Sequence, residues 1–154
     1  MRQENRSVRK LRKLLDNKIA AVENVMREGL ESASTDYRRF FEWKAAYLYK
    51  GELLRGHYRL LRNKVSRTDD VEDLKRYFGD IAKYHRERLA GGTPAGGGTH
   101  PMADIARALS LECSRQVLKD CLEFSHLLSL RKPEQDVKKE NRQAVKHRTN
   151  GLKR

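Results

Sequence analysis

Apolar side chains recur at helical spacing along most of the chain, and no stretch keeps the two-residue alternation of a β-strand for long. The first periodic series consists of Val8, Leu11, Leu15, Ile19, Val22, Met26 and Leu30. A helix there should fade around Gly29 and the Ser-Ala-Ser-Thr segment that follows it. The pattern predicts an all-α protein, an antiparallel array or bundle of four to five helices.

The second predicted helix begins near Thr35 or Asp36 and runs to about Val65. It contains Gly51 and Gly56, and each glycine costs about 1 kcal/mol relative to alanine inside a helix. Glycines at such positions indicate either close packing against a neighbouring helix or a bend in this one.

The third predicted helix opens at Asp69, whose side chain can cap free amides, with Glu72 as the reciprocal partner. Its inner face carries Val71, Leu74, Phe78, Ile81, His85 and Leu89. Residues 90–101 then contain five glycines and two prolines, which predicts a flexible connection. This segment lacks the Lys-Ser/Thr ending of a phosphate-binding P-loop and any preceding strand.

The fourth predicted helix starts with Thr99 as its cap and Pro101 in its first turn, and it runs to about Arg131. Its apolar series is Met102, Ile105, Leu109, Val117, Leu118, Cys121, Phe124 and Leu128. The predicted organisation is therefore one helical domain over residues 1–131 and a basic tail over residues 132–154. A helix in the tail would be marginal by itself because few apolar residues are available there.

Net charge is +13, and most of the excess lies at the two ends of the chain. Residues 1–13 hold six basic and one acidic side chain, residues 131–154 hold nine and three, and residues 14–130 hold 19 and 17. Basic ends are compatible with solvated termini, a nuclear-import signal or contact with nucleic acid. The candidate nucleic-acid contacts are Arg9, Lys10, Arg12, Lys13, Lys138, Lys139, Arg142, Lys146 and Arg148.

The residues that usually carry catalysis or metal binding show no matching arrangement. Cys113 and Cys121 lie about 12 Å apart along one helix, too far for a disulfide within it, and are expected to be reduced core thiols. The five histidines lack ligand spacing. We expect a non-enzymatic protein without a cofactor. Without a signal peptide or long apolar run, it should be cytoplasmic, with the nucleus as the alternative location.

Three arginines, Arg55, Arg59 and Arg62, form a row on the second predicted helix. Guanidinium groups at spacings of four and three can present a positive wall to a phosphate, to which Lys50 and the Tyr58 hydroxyl could add donors. The alternative is the solvated side of an amphipathic helix, neutralised by neighbouring carboxylates.

A cluster of aromatic residues near the start of the same predicted helix also allows two interpretations. The cluster consists of Tyr37, Phe40, Phe41 and Trp43. Such side chains can line a groove for a partner protein, and the simpler interpretation is packing in the core.

Short stretches of the chain resemble the 14-3-3 family. Tyr47-Leu48-Tyr49-Lys50-Gly51-Glu52-Leu53-Leu54-Arg55 is similar to the family's Y-L-K-M-K-G-D-Y-Y-R-Y-L, with one residue fewer before the lysine. Thr99-His100-Pro101 matches a loop ending in T-H-P. Leu122-Glu123-Phe124-Ser125, followed by Pro133-Glu134, is similar to the family's L-N-F-S and P-E. The match covers roughly residues 9–146, as helices four to eight.

The resemblance implies an adaptor that binds phosphoserine or phosphothreonine peptides, with Arg55 at the family's phosphate-binding arginine. It places Tyr58, Leu122 and Glu123 among the residues contacting the peptide. Glu123 stands where the family has an asparagine that holds the peptide backbone, or Ser110 does if the T-H-P junction anchors the alignment.

The chain also departs from the family pattern. It has no counterpart to the first three helices, which supply the dimer contact and the remaining basic residues of the pocket. Gly56 replaces the tyrosine after the arginine, and the pI near 10 contrasts with acidic family members. The resemblance thus implies a partial, much altered relative with an incomplete pocket and weak phosphopeptide binding. A truncated gene product would explain such a relative.

Overall fold

The computed structural model describes residues 5–91 and 100–130, which form five α-helices and no strand. The helices are α1 (Arg6–Thr35), α2 (Tyr37–Trp43), α3 (Ala45–Arg67), α4 (Val71–Ala90) and α5 (Pro101–Ser129). The all-α prediction is confirmed, with five helices packed antiparallel. Most of the predicted flexible segment and the whole predicted tail lie outside the described residues.

The four long helices form two antiparallel pairs, and the two pairs pack against each other. Helix α1 packs along α3, and α4 packs along α5. Helices α3 and α5 also touch, and they run in the same direction. Two contacts show this direction, because Lys50 with Glu112 and Tyr58 with Asp120 have the same sequence separation of 62 residues.

The core lies between the two pairs, where apolar faces of all four long helices converge. Its fully buried members include Val8, Leu11 and Leu15 of α1, and Val65 of α3. Phe78 of α4 and Phe124 of α5 pack with ring centroids 5.5 Å apart. Cys113 and Cys121 are buried free thiols, as predicted. These positions follow the helical period of the sequence.

The second predicted helix is divided into two, which the sequence did not indicate. Lys44 separates α2 from α3 and has a non-helical backbone conformation. A Cβ placed on Gly29 would lie within 4 Å of both Phe40 of α2 and Leu48 of α3. The break at Lys44 therefore lets both helices pack against the same position of α1.

Other helix ends also differ from the predictions. Helix α1 continues through Gly29 to Thr35, because packing from α2 and α3 outweighs the weak local propensity. Asp70, not Asp69, caps α4 by accepting from the amides of Glu72 and Asp73. The Asp69 carboxylate pairs instead with Arg12.

The two helical glycines of α3 have different surroundings. A Cβ on Gly51 would lie 3.1 Å from Cγ of Met26 and 3.7 Å from Cγ1 of Val22. Gly51 thus marks the close approach of α1 and α3. A Cβ on Gly56 would meet nothing within 4 Å, and neither glycine interrupts the helix.

Alanine substitutions at these two glycines should have unequal effects. Gly56→Ala should raise the free energy of unfolding by about 0.5–1 kcal/mol, since it adds helix propensity without a contact. Gly51→Ala should give a smaller gain or a loss, because Met26 must move. Urea unfolding of the two variants measures the difference. Equal gains would show that α1 and α3 are not in tight contact at Gly51.

Candidate functional site

Two arginines of the predicted phosphate-binding row form ion pairs across the α1–α3 interface. Arg59 lies 2.7 Å from the Glu23 carboxylate. Arg62 contacts both carboxylate oxygens of Asp16, at 2.7 and 3.4 Å. The charge of each guanidinium is therefore already matched by a carboxylate of α1.

The remaining predicted phosphate ligands do not join these two in one groove. Lys50 faces α5, where its ammonium lies 3.0 Å from the Glu112 carboxylate and 5.1 Å from the centre of the Tyr47 ring. Arg55 is half-buried, and no carboxylate of the described residues pairs with it. The predicted wall is thus divided between the two sides of α3.

The predicted peptide-contacting residues are also separated. Tyr58 is buried against α5, with 4% of its surface exposed. Leu122 and Glu123 lie on the exposed side of α5. Their proposed roles stay predictions, but the structure does not bring the three side chains together.

Asp120 of α5 is the centre of a buried polar network that the sequence analysis missed. Its carboxylate is 1% exposed and accepts a 2.6 Å hydrogen bond from the Tyr58 hydroxyl. The Lys18 ammonium donates to it at 3.3 Å, and the Gln116 amide at 2.9 Å. A signal for this network existed, because Asp120 falls on the apolar face between Val117 and Phe124.

The state of the Tyr58 hydroxyl follows from this environment. Burial disfavours the phenolate, and the hydrogen bond to Asp120 stabilises the neutral form. Together they raise the pKa of Tyr58 far above its ordinary value. Tyr58 therefore stays protonated, and able to donate a hydrogen bond, at neutral pH.

Removing the Tyr58 hydroxyl should destabilise the fold. In Tyr58→Phe the Asp120 carboxylate loses its shortest hydrogen bond while it stays buried, at a cost of about 1–3 kcal/mol. Tyr84→Phe is the matched control because Tyr84 is largely exposed, and it should change stability by less than about 0.5 kcal/mol. Chemical denaturation of both variants tests the prediction. Similar stabilities would argue against a structural role for this bond.

A second polar cluster lies between α3, α4 and α5. His85 is 2% exposed, and among the described residues its Nδ1 has no hydrogen-bond partner. Its ring meets His57 edge-on, with centroids 5.3 Å apart. Nearby, the Arg88 guanidinium donates to the hydroxyls of Ser110 at 2.6 Å and Ser114 at 3.1 Å.

The surroundings of both imidazoles favour the neutral form. Burial lowers the pKa of His57, and the charge of Arg88 lowers it further. Burial also lowers the pKa of His85, with additional effects from His57 and Arg88. Protonation of either ring would place a second cation beside the Arg88 guanidinium. None of the residues that form this cluster is a carboxylate that could pair with it.

Acidification should therefore destabilise the protein through these histidines. The unfolded chain binds protons near pH 6.5, whereas the folded chain binds them only at lower pH. Stability is fully present above about pH 6.5 and is lost as the pH falls toward the lowered folded pKa values. The free energy of unfolding should fall between pH 7.5 and pH 5.5, and less steeply in His57→Gln.

His126→Gln provides the control for this pH series because His126 is exposed at the end of α5. That variant should keep the wild-type pH dependence. If His57→Gln has the wild-type slope as well, another titrating group is responsible.

The predicted nucleic-acid contacts are only partly within the described residues. Lys10 and Lys13 are exposed on α1. Arg12 instead donates twice to the Val65 carbonyl and pairs with Asp69 at 2.8 Å, so it joins α1 to the end of α3. Arg9 is exposed on α1, and its side chain is not without a partner. The candidate residues of the predicted tail, Lys138 to Arg148, lie outside the described part.

An apolar groove lies at the opposite end of the molecule, between α2 and the N-terminal parts of α3 and α5. We call it the aromatic groove; its volume is about 420 Å³. It is lined by Phe41, Ala45, Ala46, Tyr49, Met102, Ile105, Ala106 and Leu109. Phe41 and Ile105 are each about half exposed, so they offer apolar surface to a ligand.

The aromatic cluster predicted from the sequence borders this groove. Only Phe40 packs in the core, at 7% exposure. Tyr37 is exposed and stacks on Phe41 with ring centroids 6.4 Å apart, and Trp43 is 71% exposed. Core packing, the simpler interpretation from the sequence, is therefore wrong for three of the four residues.

The described residues contain neither a candidate metal site nor a candidate membrane span. Over residues 5–91 and 100–130, no group of His, Cys, Asp and Glu side chains could hold a metal ion. None of the five helices in this part combines the length and apolarity needed to cross a bilayer. The aromatic groove is the feature whose shape and exposed apolar surface fit a binding role.

Comparison with known proteins finds no family, no characterised protein and no solved structure that matches the chain. The likeness to 14-3-3 proteins stays a prediction made from short stretches of sequence.

Proposed function

We propose that the protein is a non-enzymatic protein-interaction adaptor whose binding surface is the aromatic groove. The observation that carries this proposal is the exposure of large apolar side chains around one open groove. Ligand sites are concave and mainly apolar, with few polar groups. The aromatic groove has this composition, since all eight lining residues are alanine, aromatic or aliphatic, apart from the hydroxyl of Tyr49.

The amount of exposed apolar surface supports an interface at this end of the bundle. Five aromatic side chains of α2 and the first turns of α3 are between 38% and 71% exposed, namely Tyr37, Phe41, Trp43, Tyr47 and Tyr49. At roughly 200 Å² for each fully exposed aromatic side chain, they expose on the order of 600 Å². Phe41 and Tyr49 belong to the groove lining, and exposed apolar surface that gathers at one place often marks a binding site.

Aromatic residues also suit this role energetically. Tyrosine and tryptophan are enriched among the residues that contribute most to binding, because they bury large areas with few rotatable bonds. Tyr37 stacks on the groove residue Phe41, and both side chains are exposed in the free protein. Leaving them in water gives the free protein no stability, so their exposure supports a binding role.

Recognition of a phosphorylated peptide, as the 14-3-3 resemblance implies, is a finer prediction that depends on Arg55. Arg59, Arg62 and Lys50 already contact carboxylates, so a phosphate would have to displace those partners. Nucleic-acid binding by the basic ends is the alternative prediction. Both are separate from binding in the aromatic groove.

A peptide selection can test the groove directly. Short random peptides displayed on phage would be selected on the full chain, and enriched sequences synthesised for fluorescence anisotropy. Ile105→Asp should weaken their binding about tenfold or more, because it places a charge among the apolar groove residues. Its matched control is Leu60→Asp, which adds the same charge at a 65% exposed leucine outside the groove.

The control should bind the enriched peptides as the wild type does, and circular dichroism should show the same helix content for all three proteins. If no peptide is enriched, or if Ile105→Asp binds as tightly as the wild type, the groove is not the binding surface.

A further inference from the structure

We infer that the side chains around Arg88 form a binding site for a phosphate-type oxyanion. The Arg88 cluster, as we call it, consists of Arg88 and His85 of α4, Ser110 and Ser114 of α5, and His57 of α3. It combines a cation with hydrogen-bond donors and contains no carboxylate. None of its members lines the aromatic groove, so the inference is independent of the proposed function.

Arg88 lacks the carboxylate partner that most half-buried cations of the protein have. Nine lysine and arginine side chains are half-buried in the part of the chain that the structure describes, and seven of them form ion pairs. The seven are Arg12, Lys18, Lys50, Arg62, Lys64, Lys75 and Arg107. The other two are Arg55 and Arg88, and of these two only Arg88 is held by hydrogen bonds to described residues. Because a partly desolvated cation without a counter-charge is costly, an anion would be stabilised beside it.

Neighbouring carboxylates do not supply the missing charge. Four carboxylates lie within five residues of a cluster member in the sequence, and they are Glu52, Asp80, Glu87 and Glu112. Glu112 pairs with Lys50 at 3.0 Å, the other three are exposed, and none of the four pairs with Arg88. The charge that lowers the pKa of both imidazoles comes from Arg88, and no carboxylate raises either pKa. The C-terminal carbonyls of α4 carry about half a negative charge, which compensates the guanidinium only in part.

The Arg88 cluster also contains hydrogen-bond donors without acceptors. Ser110 and Ser114 accept hydrogen bonds from Arg88, and among the described residues no acceptor takes the hydrogen of either hydroxyl. Ser114 is 0% exposed, and the Nδ1 atom of His85 is buried without a described partner. An oxyanion can accept from several such donors at once, and it brings the negative charge that Arg88 lacks.

The geometry of the Arg88 cluster suits an anion that arrives from solvent. Ser110 and Ser114 are one turn apart on α5, and each holds one terminal nitrogen of the guanidinium, at 2.6 and 3.1 Å. The remaining N–H groups of Arg88 are available to a ligand. Arg88, Ser110 and His57 are only half-buried, so an anion can reach them while the apolar core stays closed.

Titration with inorganic phosphate tests the inference. The ¹⁵N-labelled full chain would be titrated with sodium phosphate at constant pH, and a parallel titration with sodium chloride would match the ionic strength. Phosphate should give saturable shifts of the NMR signals of Arg88, with a Kd of about 1 mM or lower, because the contacts are charge-assisted. Chloride should give only small shifts that do not saturate. The same shifts with both salts would overturn the inference.

Two variants locate the bound phosphate. Arg88→Gln removes the charge and should weaken phosphate binding about tenfold or more. Ser110→Ala removes one donor and keeps the guanidinium, so it should weaken binding about three- to tenfold. Alanine suits a helix, so Ser110→Ala should fold even if circular dichroism shows that Arg88→Gln does not.

Arg86→Gln is the matched control for net charge. Arg86 is exposed on α4 two residues before Arg88, and the variant removes the same charge outside the cluster. It should bind phosphate as tightly as the wild type. Equal weakening by Arg86→Gln and Arg88→Gln would overturn the inference, because the attraction would then come from the whole protein.

A titration with O-phosphoserine identifies the source of the phosphate group. Tighter binding than that of inorganic phosphate would indicate a phosphate ester, and weaker binding would indicate the free ion; either result supports the site if it depends on Arg88. Binding that is unchanged in both Arg88→Gln and Ser110→Ala would overturn the inference. Ile105→Asp should bind phosphate as the wild type does, so failure of the proposed function would leave this result unchanged.

Discussion

The buried carboxylate of Asp120 is the constraint on which the arrangement of the helices depends. An unpaired buried carboxylate would cost several kcal/mol, so its oxygens require donors from the surrounding elements. Tyr58 of α3, Lys18 of α1 and Gln116 of α5 provide them. Apolar packing alone would tolerate a shift of one helix along another, whereas these directional contacts select one register for three helices.

That register places the binding surface. With Tyr58 opposite Asp120, α3 and α5 are parallel, and their first turns lie at the same end of the molecule. The break at Lys44 then brings α2 beside both turns, and Phe41, Ala45 and Ile105 come to line one groove. The residues that fix the register are thus remote from the aromatic groove, but they determine which side chains meet there.

Local periodicity was sufficient to predict the all-α class and much of the core. Leu11, Phe78 and Phe124 were identified because each lies on the apolar stripe of its own helix. Properties that depend on which helices meet could not be obtained in this way.

The arginine row and the break at Lys44 illustrate that limit. The carboxylates beside Arg59 and Arg62 belong to α1, and nothing in the local sequence of α3 indicates that α1 will pack there. The break at Lys44 is similar, since no proline or glycine marks it in the sequence and the helices on both sides of it pack near Gly29 of α1. Asp120 is different, because an acid on an apolar stripe can be recognised from sequence as a residue that needs buried donors.

The location of Asp120 between the two helix pairs has a consequence for local opening motions. Each pair joins helices near each other in the chain, so each can keep its own contacts when the pairs separate. Separation returns the carboxylate to water, and the recovered hydration offsets part of the apolar contact that is lost. We therefore expect the two pairs to separate at a lower free-energy cost than a wholly apolar junction of the same area would require.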